Sequence, residues 1–452
     1  MAFLVALVLA GVVPAAASES SGAVAWGKNN DGQLGNGSTT SAKEAVAVKV
    51  LTEATAVAAG ELHSLALLKT GKVMAWGYNA DGQLGNGTTT TEKEPVEVKG
   101  ITEAVSIAAG ADHSLALLKT GKVMAWGYNA DGQLGNGTTT TEKEPVEVKG
   151  LTEVVAIAAG ADYSLAVLKS GKVKAWGYNV DGQLGNGTTT TEKEPVEVKG
   201  LSEAVAVAGG EFHSLALLQS GKVMAWGYNV DGQLGNGTTT TEKEPVEVKG
   251  LTEVAGIAAG HDHSLAVLKS GKVKAWGYNV DGQLGNGTTT TEKEPVEVKG
   301  LSEAVAVAGG EFHSLALLKS GKVKAWGYNS EGQLGNGTTT TEKEPVEVTG
   351  VSHMSSIAAG ADFSLSSYAT APVNTVLPAV SGEAKDERTL TASSGTWTGT
   401  PTIEYSYQWE SCNTAGESCA SISGATSSSY VVAHELVGHT IRVKVTAKNA
   451  AG

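Results

Sequence analysis

Phenylalanine is scarce in this chain: four among 452 residues, beside nine tryptophans and eleven tyrosines. Aromatic usage is therefore selective rather than generic. Cysteine is nearly absent, Cys412 and Cys419 alone, so thiols cannot staple a disulfide-dense scaffold or hold a zinc ion unaided. Positive charge is short as well. Lys and Arg number 33 against 47 Asp and Glu, a net charge of −14, and the cations never cluster. Recognition of DNA or RNA through phosphate neutralisation needs a basic patch, so no nucleic-acid partner is expected. The longest apolar stretch, residues 2–17, is too short to span a bilayer comfortably. With 41% apolar residues the chain still has enough to bury a core, which excludes wholesale disorder.

What is abundant is glycine, 59 residues, nearly twice the roughly 7% of ordinary proteins. The apolar stretch near the start ends in Ala15-Ala16-Ala17, the small-residue pattern that signal peptidase reads, so residues 1–17 are expected to be a signal peptide. No Lys or Arg precedes the stretch, and a hydrophobic first strand is the competing reading. Export places the protein outside the cell or at its surface, with no integral membrane segment in the mature chain. In that oxidising setting Cys412 and Cys419, with six residues between them, suit a disulfide closing a hairpin loop. His434 and His439 lie nearby, but a plain disulfide is preferred over a metal site.

A fifty-residue period organises most of the sequence. The block DGQLGNGTTTTEKEPVEVKG at 81–100 recurs unchanged at 131–150, 181–200, 231–250 and 281–300, with a close copy from Glu331 and a diverged one from Asp31. Ala-Trp-Gly recurs around Trp26, Trp76, Trp126, Trp176, Trp226, Trp276 and Trp326, and a small-residue step recurs seven times from Gly60 to Gly360. Each unit parses into four short strands, for example 104–109, 114–118, 122–126 and 145–149, separated by Gly- and Asn-rich turns. Pro145 and its equivalents suit an edge strand, where a missing N–H matters little. Radial repetition of four antiparallel strands makes an all-β, seven-bladed β-propeller. The Ala/Gly-rich first strand should lie innermost, where converging blades leave least room. The repeat region begins half-way through a unit and ends half-way through one. Residues 22–49 and 352–366 should therefore build one blade together and remove the open edges.

The pattern AAGxxHSLALLxxGKVxAWGxNxxGQLGNG resembles the repeat of the regulator of chromosome condensation family over residues 22–366. That resemblance implies a seven-bladed propeller and makes the repeated histidine a packing position. After a linker at 367–375, residues 376–452 resemble a bacterial immunoglobulin-like domain, a small β-sandwich. Trp409 precedes both cysteines there, so their disulfide is local rather than the inter-sheet bridge of antibody domains.

Candidate chemistry is thin. His63, His113, His213, His263 and His313 share one repeat position, but Tyr163 and Phe363 fill it elsewhere, and a ring of metal ligands would not accept Phe. The loop with Asn79, Asp81 and Gly82 has Gly77 and Thr88 where a calcium loop needs acids, so turn chemistry is preferred. Asn86-Gly87-Thr88 matches a glycosylation sequon, but the Asn-Gly turn reading is preferred. Ser114 follows His113, but adjacent strand residues point to opposite faces and cannot form a nucleophile–base pair. No catalytic residue, cofactor site or metal site is expected, and the chain reads as a non-enzymatic, monomeric binder.

The loops after strands one and three emerge on the same side of a meander. That side carries Glu61, Asp112, Asp162, Glu211, Asp262, Glu311 and Asp362, and the differences among copies concentrate there. Drift at a tolerant loop would produce the same variation. The expected binding residues are these acids with His261, and Phe212 and Phe312 as exposed anchors. The opposite side carries Lys-(Thr/Ser)-Gly-Lys turns and Lys99 with its copies, so an acidic and a lysine-bearing face are expected. The preferred function is an exported protein-interaction or adhesion scaffold for a protein or surface glycan. A secreted inhibitor of the beta-lactamase inhibitor protein II type is the alternative. Guanine nucleotide exchange on a small GTPase, which the resemblance also implies, comes last because export and acidity oppose it.

Overall fold

The computed structural model describes residues 7–10, 22–399, 403–449 and 451. The chain divides into a unit spanning Ser21–Tyr368 and a second one comprising Ala369–Gly452 with the first twenty residues. No helix among the described residues is long and apolar enough to cross a membrane.

The first unit contains seven four-stranded antiparallel sheets, the blades. In one of them the strands are Ala104–Ala109, His113–Leu118, Val123–Gly127 and Glu142–Glu147. The first three agree with the sequence reading. The fourth begins three residues earlier than expected, so Pro145 lies inside it rather than at its start. Pairing explains why this is tolerated: Ala125 faces Val146 and Gly127 faces Glu142, with a bulge between. Pro145 thus falls in the irregular stretch of an outermost strand. Gly127 sits at φ +101°, and a Cβ there would stand 2.5 Å from the Asp112 carbonyl oxygen. Only glycine fits.

The closing blade is sewn from both ends of the repeat region: Met354–Ala359, Phe363–Tyr368, Ala23–Gly27 and Ala42–Ala47. Ala23 to Gly27 pair residue by residue with Ser367 to Phe363. The strand Phe363–Tyr368 runs two residues beyond the expected repeat limit of 366.

Apolar side chains collect between blades rather than within them. Leu115, Leu117 and Val123 of one blade pack with Val154, Ala166 and Trp176 of the next. Each of the seven seams holds such a cluster, including the seam where Phe363 and Leu365 meet Ala54 and Trp76. All seven repeat tryptophans are fully buried.

Among the described residues, the regular elements of the second unit are strands and one short 3-10 turn, His434–Leu436, with a core of Leu390, Trp409, Val432, Ile441, Val443 and Val445. Its longest pair, Glu404–Cys412 against Thr440–Lys448, is antiparallel. Val373–Val376, which runs from the end of the expected linker across its boundary, forms a strand paired with Thr396–Thr398. Cys412 and Cys419 are joined by a disulfide, with Cα atoms 4.0 Å apart. Of the expected signal peptide, Leu7–Ala10 runs as a strand parallel to Thr440–Lys448. Ala15, Ala16 and Ala17 lie outside the described residues.

Candidate functional site

Verbatim loops are verbatim because each copy latches the next blade. The Gln83 carbonyl accepts hydrogen bonds from Trp126 Nε1 at 2.9 Å and Ser114 Oγ at 2.9 Å, both in the following blade. Gln33 serves Trp76 and Ser64 in the same way, and Gln333 serves Trp26 and Ser364, so the closing seam uses the same bonds. Asn79 holds the loop's shape: its Oδ1 accepts from Leu84 N–H, and its Nδ2 donates to the Thr90 carbonyl. Asn86 accepts from both the N–H and the hydroxyl of Thr88, which makes the sequon triplet a turn device.

The five repeated histidines are fully buried. Nε2 of each meets the serine hydroxyl of the next blade, as His63 meets Ser114 at 2.9 Å. Because Ser114 already donates its proton to the Gln83 carbonyl, His63 must donate through Nε2 and cannot act as a base toward that hydroxyl. Burial lowers His63 and His213 to about 4 and His113, His263 and His313 to about 3, so all five are neutral. Tyr163 replaces the bond by donating from its hydroxyl to the His213 carbonyl. Phe363 simply fills the space.

At the strand-one and strand-three loops the repeats differ. The small-residue steps of all seven blades surround a central opening of about 280 Å³, lined also by Glu61, Glu211, His261 and Glu311. The first strands are therefore innermost, as expected. Asp112, Asp162, Asp262 and Asp362 stand farther out, and each accepts a hydrogen bond from the side-chain amide of the preceding blade: Gln83, Gln133, Gln233 and Gln333. Burial, then the charges of Glu61 and Asp81, push Asp112 up to about 6. His261 bridges Glu211 and Asp262. Its burial would lower it, but the hydrogen bonds and charges of the two carboxylates prevail and raise it to about 10. Glu211, His261 and Asp262 are ligand-type side chains whose ligating atoms lie within 4.8 Å of one another, and the doubly bonded imidazolium accounts for them.

The chain matches the RCC1-like domain family over residues 22–366. It belongs to that family. Among solved structures, human WBSCR16 aligns at 25% identity with a TM-score of 0.70, over 76% of this chain and 99% of that one. Yeast RCC1 (Prp20) bound to Kap60 aligns at 23% and 0.69, over 77% and 88%. Prp20p from Saccharomyces cerevisiae, characterised for binding to Gsp1p and histones, aligns at 24% and 0.68, over 77% and 91%. No curated protein matches the sequence.

On this RCC1-like propeller the expected binding residues share one end of the ring but do not form one kind of surface. Glu61 is exposed, while Glu211, His261 and Glu311 border the opening half-buried. Phe212 and Phe312, expected to be exposed, are half-buried. Phe212 lies between Tyr178 and Tyr228, and Phe312 between Tyr278 and Tyr328. These tyrosines escaped the sequence reading because they do not vary among six copies; their role depends on which residue the next blade sets beside them. The lysine-bearing face is muted too. Lys122 pairs with Glu147 in its own blade at 2.9 Å, and Lys99 with Glu144 of the next at 2.7 Å. Both pairings recur around the ring.

Proposed function

We propose that this RCC1-like protein is an exported, non-enzymatic protein-interaction scaffold that presents the strand-one and strand-three loops to a protein or surface-glycan partner. Its second unit is read as an immunoglobulin-like sandwich of the kind appended to surface proteins, and the propeller as a monomer. The observation that carries the reading is the division of labour within the repeat. Positions with chemical potential, His63 and Ser114 and their copies, are consumed in seams between blades, whereas differences among copies gather at one open end. Seven near-identical groups suit contact better than a reaction, which needs distinct groups placed once around a substrate. The fold neighbours with protein partners in their descriptions, Kap60, Gsp1p and histones, fit a binding role.

The test is affinity capture from the native culture surface with the purified full chain, beside the variant Glu61→Gln/Glu211→Gln/Glu311→Gln. A partner retained by the native chain and lost by the variant is the expected result. Capture that depends on the lysine turns instead would place binding on the other face. Inhibition of a beta-lactamase would favour the inhibitor reading, and accelerated nucleotide release from a small GTPase the exchange reading.

A further inference from the structure

Around the rim, the position facing the buried glutamine amide is Leu62, Asp112, Asp162, Phe212, Asp262, Phe312 or Asp362. The four aspartates satisfy that amide. Opposite Leu62, Phe212 and Phe312, the fully buried Gln33, Gln183 and Gln283 have Nε2 atoms with no hydrogen-bond partner among the described residues. A buried polar group left unpaired is destabilising, and aspartate at the same place in nearly identical repeats avoids that loss. Satisfying the glutamine amide therefore gives no reason for phenylalanine there.

The rings create a surface instead. Phe212 stands 6.0 Å from Tyr178 and 6.3 Å from Tyr228, centroid to centroid, and Phe312 stands 6.1 Å from Tyr278 and 6.4 Å from Tyr328. On the loops of this sector Val180, Val230 and Val280 are 55%, 56% and 56% exposed. The remaining copies carry Asn30, Ala80, Ala130 and Ser330 at that position. Phe212, Phe312 and the three valines thus gather on four consecutive blades, whereas Tyr78 and Tyr128 elsewhere on the rim have Ala80, Ala130, Asp112 and Asp162 beside them. Charge around the arc is negative. Glu211 and Glu311 border it toward the opening, and Asp181, Asp231 and Asp281 stand on its loops, while Glu244 of the outer strand is already paired with Lys199. The His261 charge is taken up by Glu211 and Asp262.

We infer that the arc from Tyr178 to Tyr328 is a docking surface for a protein segment carrying an apolar or aromatic anchor between basic residues. This rests on the scaffold reading above and names its partner's chemistry. The apolar side chain would lie against Phe212 or Phe312, and its lysine or arginine neighbours would meet the bordering carboxylates.

The probes are three labelled nine-residue peptides: Leu-Trp-Leu between two Lys triplets, the same centre between Glu triplets, and Gly-Ser-Gly between Lys triplets. Fluorescence anisotropy against the full chain should show the first binding at least tenfold more tightly than the other two. The variant Phe212→Asp/Phe312→Asp should lose at least tenfold for that peptide while melting at the same or a higher temperature, because the new carboxylates can accept from Gln183 and Gln283. Equal binding of the three peptides, no binding, unchanged binding by the variant, or a lower melting temperature would each overturn the inference. A partner captured equally by native and F212D/F312D protein would remove this docking site and leave the scaffold reading standing. Loss of capture only when Glu61, Glu211 and Glu311 are changed would do the same.

Discussion

A single repeat position shows how residue identity is set by reach. His313 spans the seam to Ser364 at 2.9 Å, whereas Phe363, its equivalent one blade on, fills the same space without that bond. His313→Phe should therefore lose only about 1 kcal/mol, one net buried hydrogen bond, since Ser364 still donates to the Gln333 carbonyl. His313→Ala should lose about 2–4 kcal/mol, because a cavity is added to the lost bond. Gly110 is the complementary case. A Cβ there would meet His113 Cε1 at 2.2 Å and the Gly160 carbonyl oxygen at 2.5 Å, and backbone cannot retreat as a side chain can. Gly110→Ala should destabilise by about 1–3 kcal/mol. Urea denaturation of the three variants should rank His313→Phe as the mildest; equal losses for Phe and Ala would show that packing at this position is unimportant. The sequence could identify the histidines as structural because Phe363 shares their place. It could not reveal that Phe212 and Phe312 are half-buried, because their neighbours Tyr178 and Tyr278 belong to the preceding blade, thirty-four residues earlier in the chain.

Among elements, the half-blades carry the most consequence. Ala23–Gly27 pairs with Phe363–Tyr368, so the closing sheet exists only if both parts are present. Deleting residues 22–49 leaves the strand Phe363–Tyr368 with only one of its two partners, Gln333 without Trp26, and Leu334 without part of its cluster. Such a deletion should abolish the cooperative melting transition of the propeller. Deleting residues 376–452 should leave that transition in place, because the unit lost has its own core around Trp409. Circular dichroism melts of the two truncations make the comparison, and similar damage from both would refute independent cores. Complementary half-units made this closure readable from sequence, since a seven-fold period is insensitive to small errors in strand limits. The start of the fourth strand was not readable. Pro145 suggested a beginning, but the bulge between Ala125 and Gly127 lets the strand run past it. A local rule about proline yielded to pairing with the preceding strand.

For the whole molecule, repetition turns small electrostatic effects into a measurable sum. Burial holds His63 and His213 near 4 and His113, His263 and His313 near 3, against 6.5 for a free imidazole. Below pH 6.5 the unfolded chain binds protons at these five sites that the ring refuses, so stability is full above 6.5 and is lost as pH falls toward 4 and 3. Asp112 acts oppositely. Burial, with the nearby acids, raises it from 3.8 to about 6, so its protonation in the folded state adds stability on acidification. Asp162, Asp181, Asp231, Asp281 and Glu311, raised chiefly by burial, contribute in the same direction. The five histidine shifts, down to about 4 or 3, are larger, and the net acid limb should fall. On the alkaline side His261 governs. The carboxylates of Asp262 and Glu211 overcome its desolvation and raise it to about 10, so the stability it adds is present below 6.5 and fades as pH rises toward 10. Urea melts from pH 4 to pH 10 should therefore show a maximum between about pH 6 and 7, with a steep acid side and a shallower alkaline one. His313→Phe should make the acid side less steep without touching the alkaline side, and His261→Gln should flatten the alkaline side alone. A steep acid limb unchanged by His313→Phe would mean that the buried histidines are not what acid attacks.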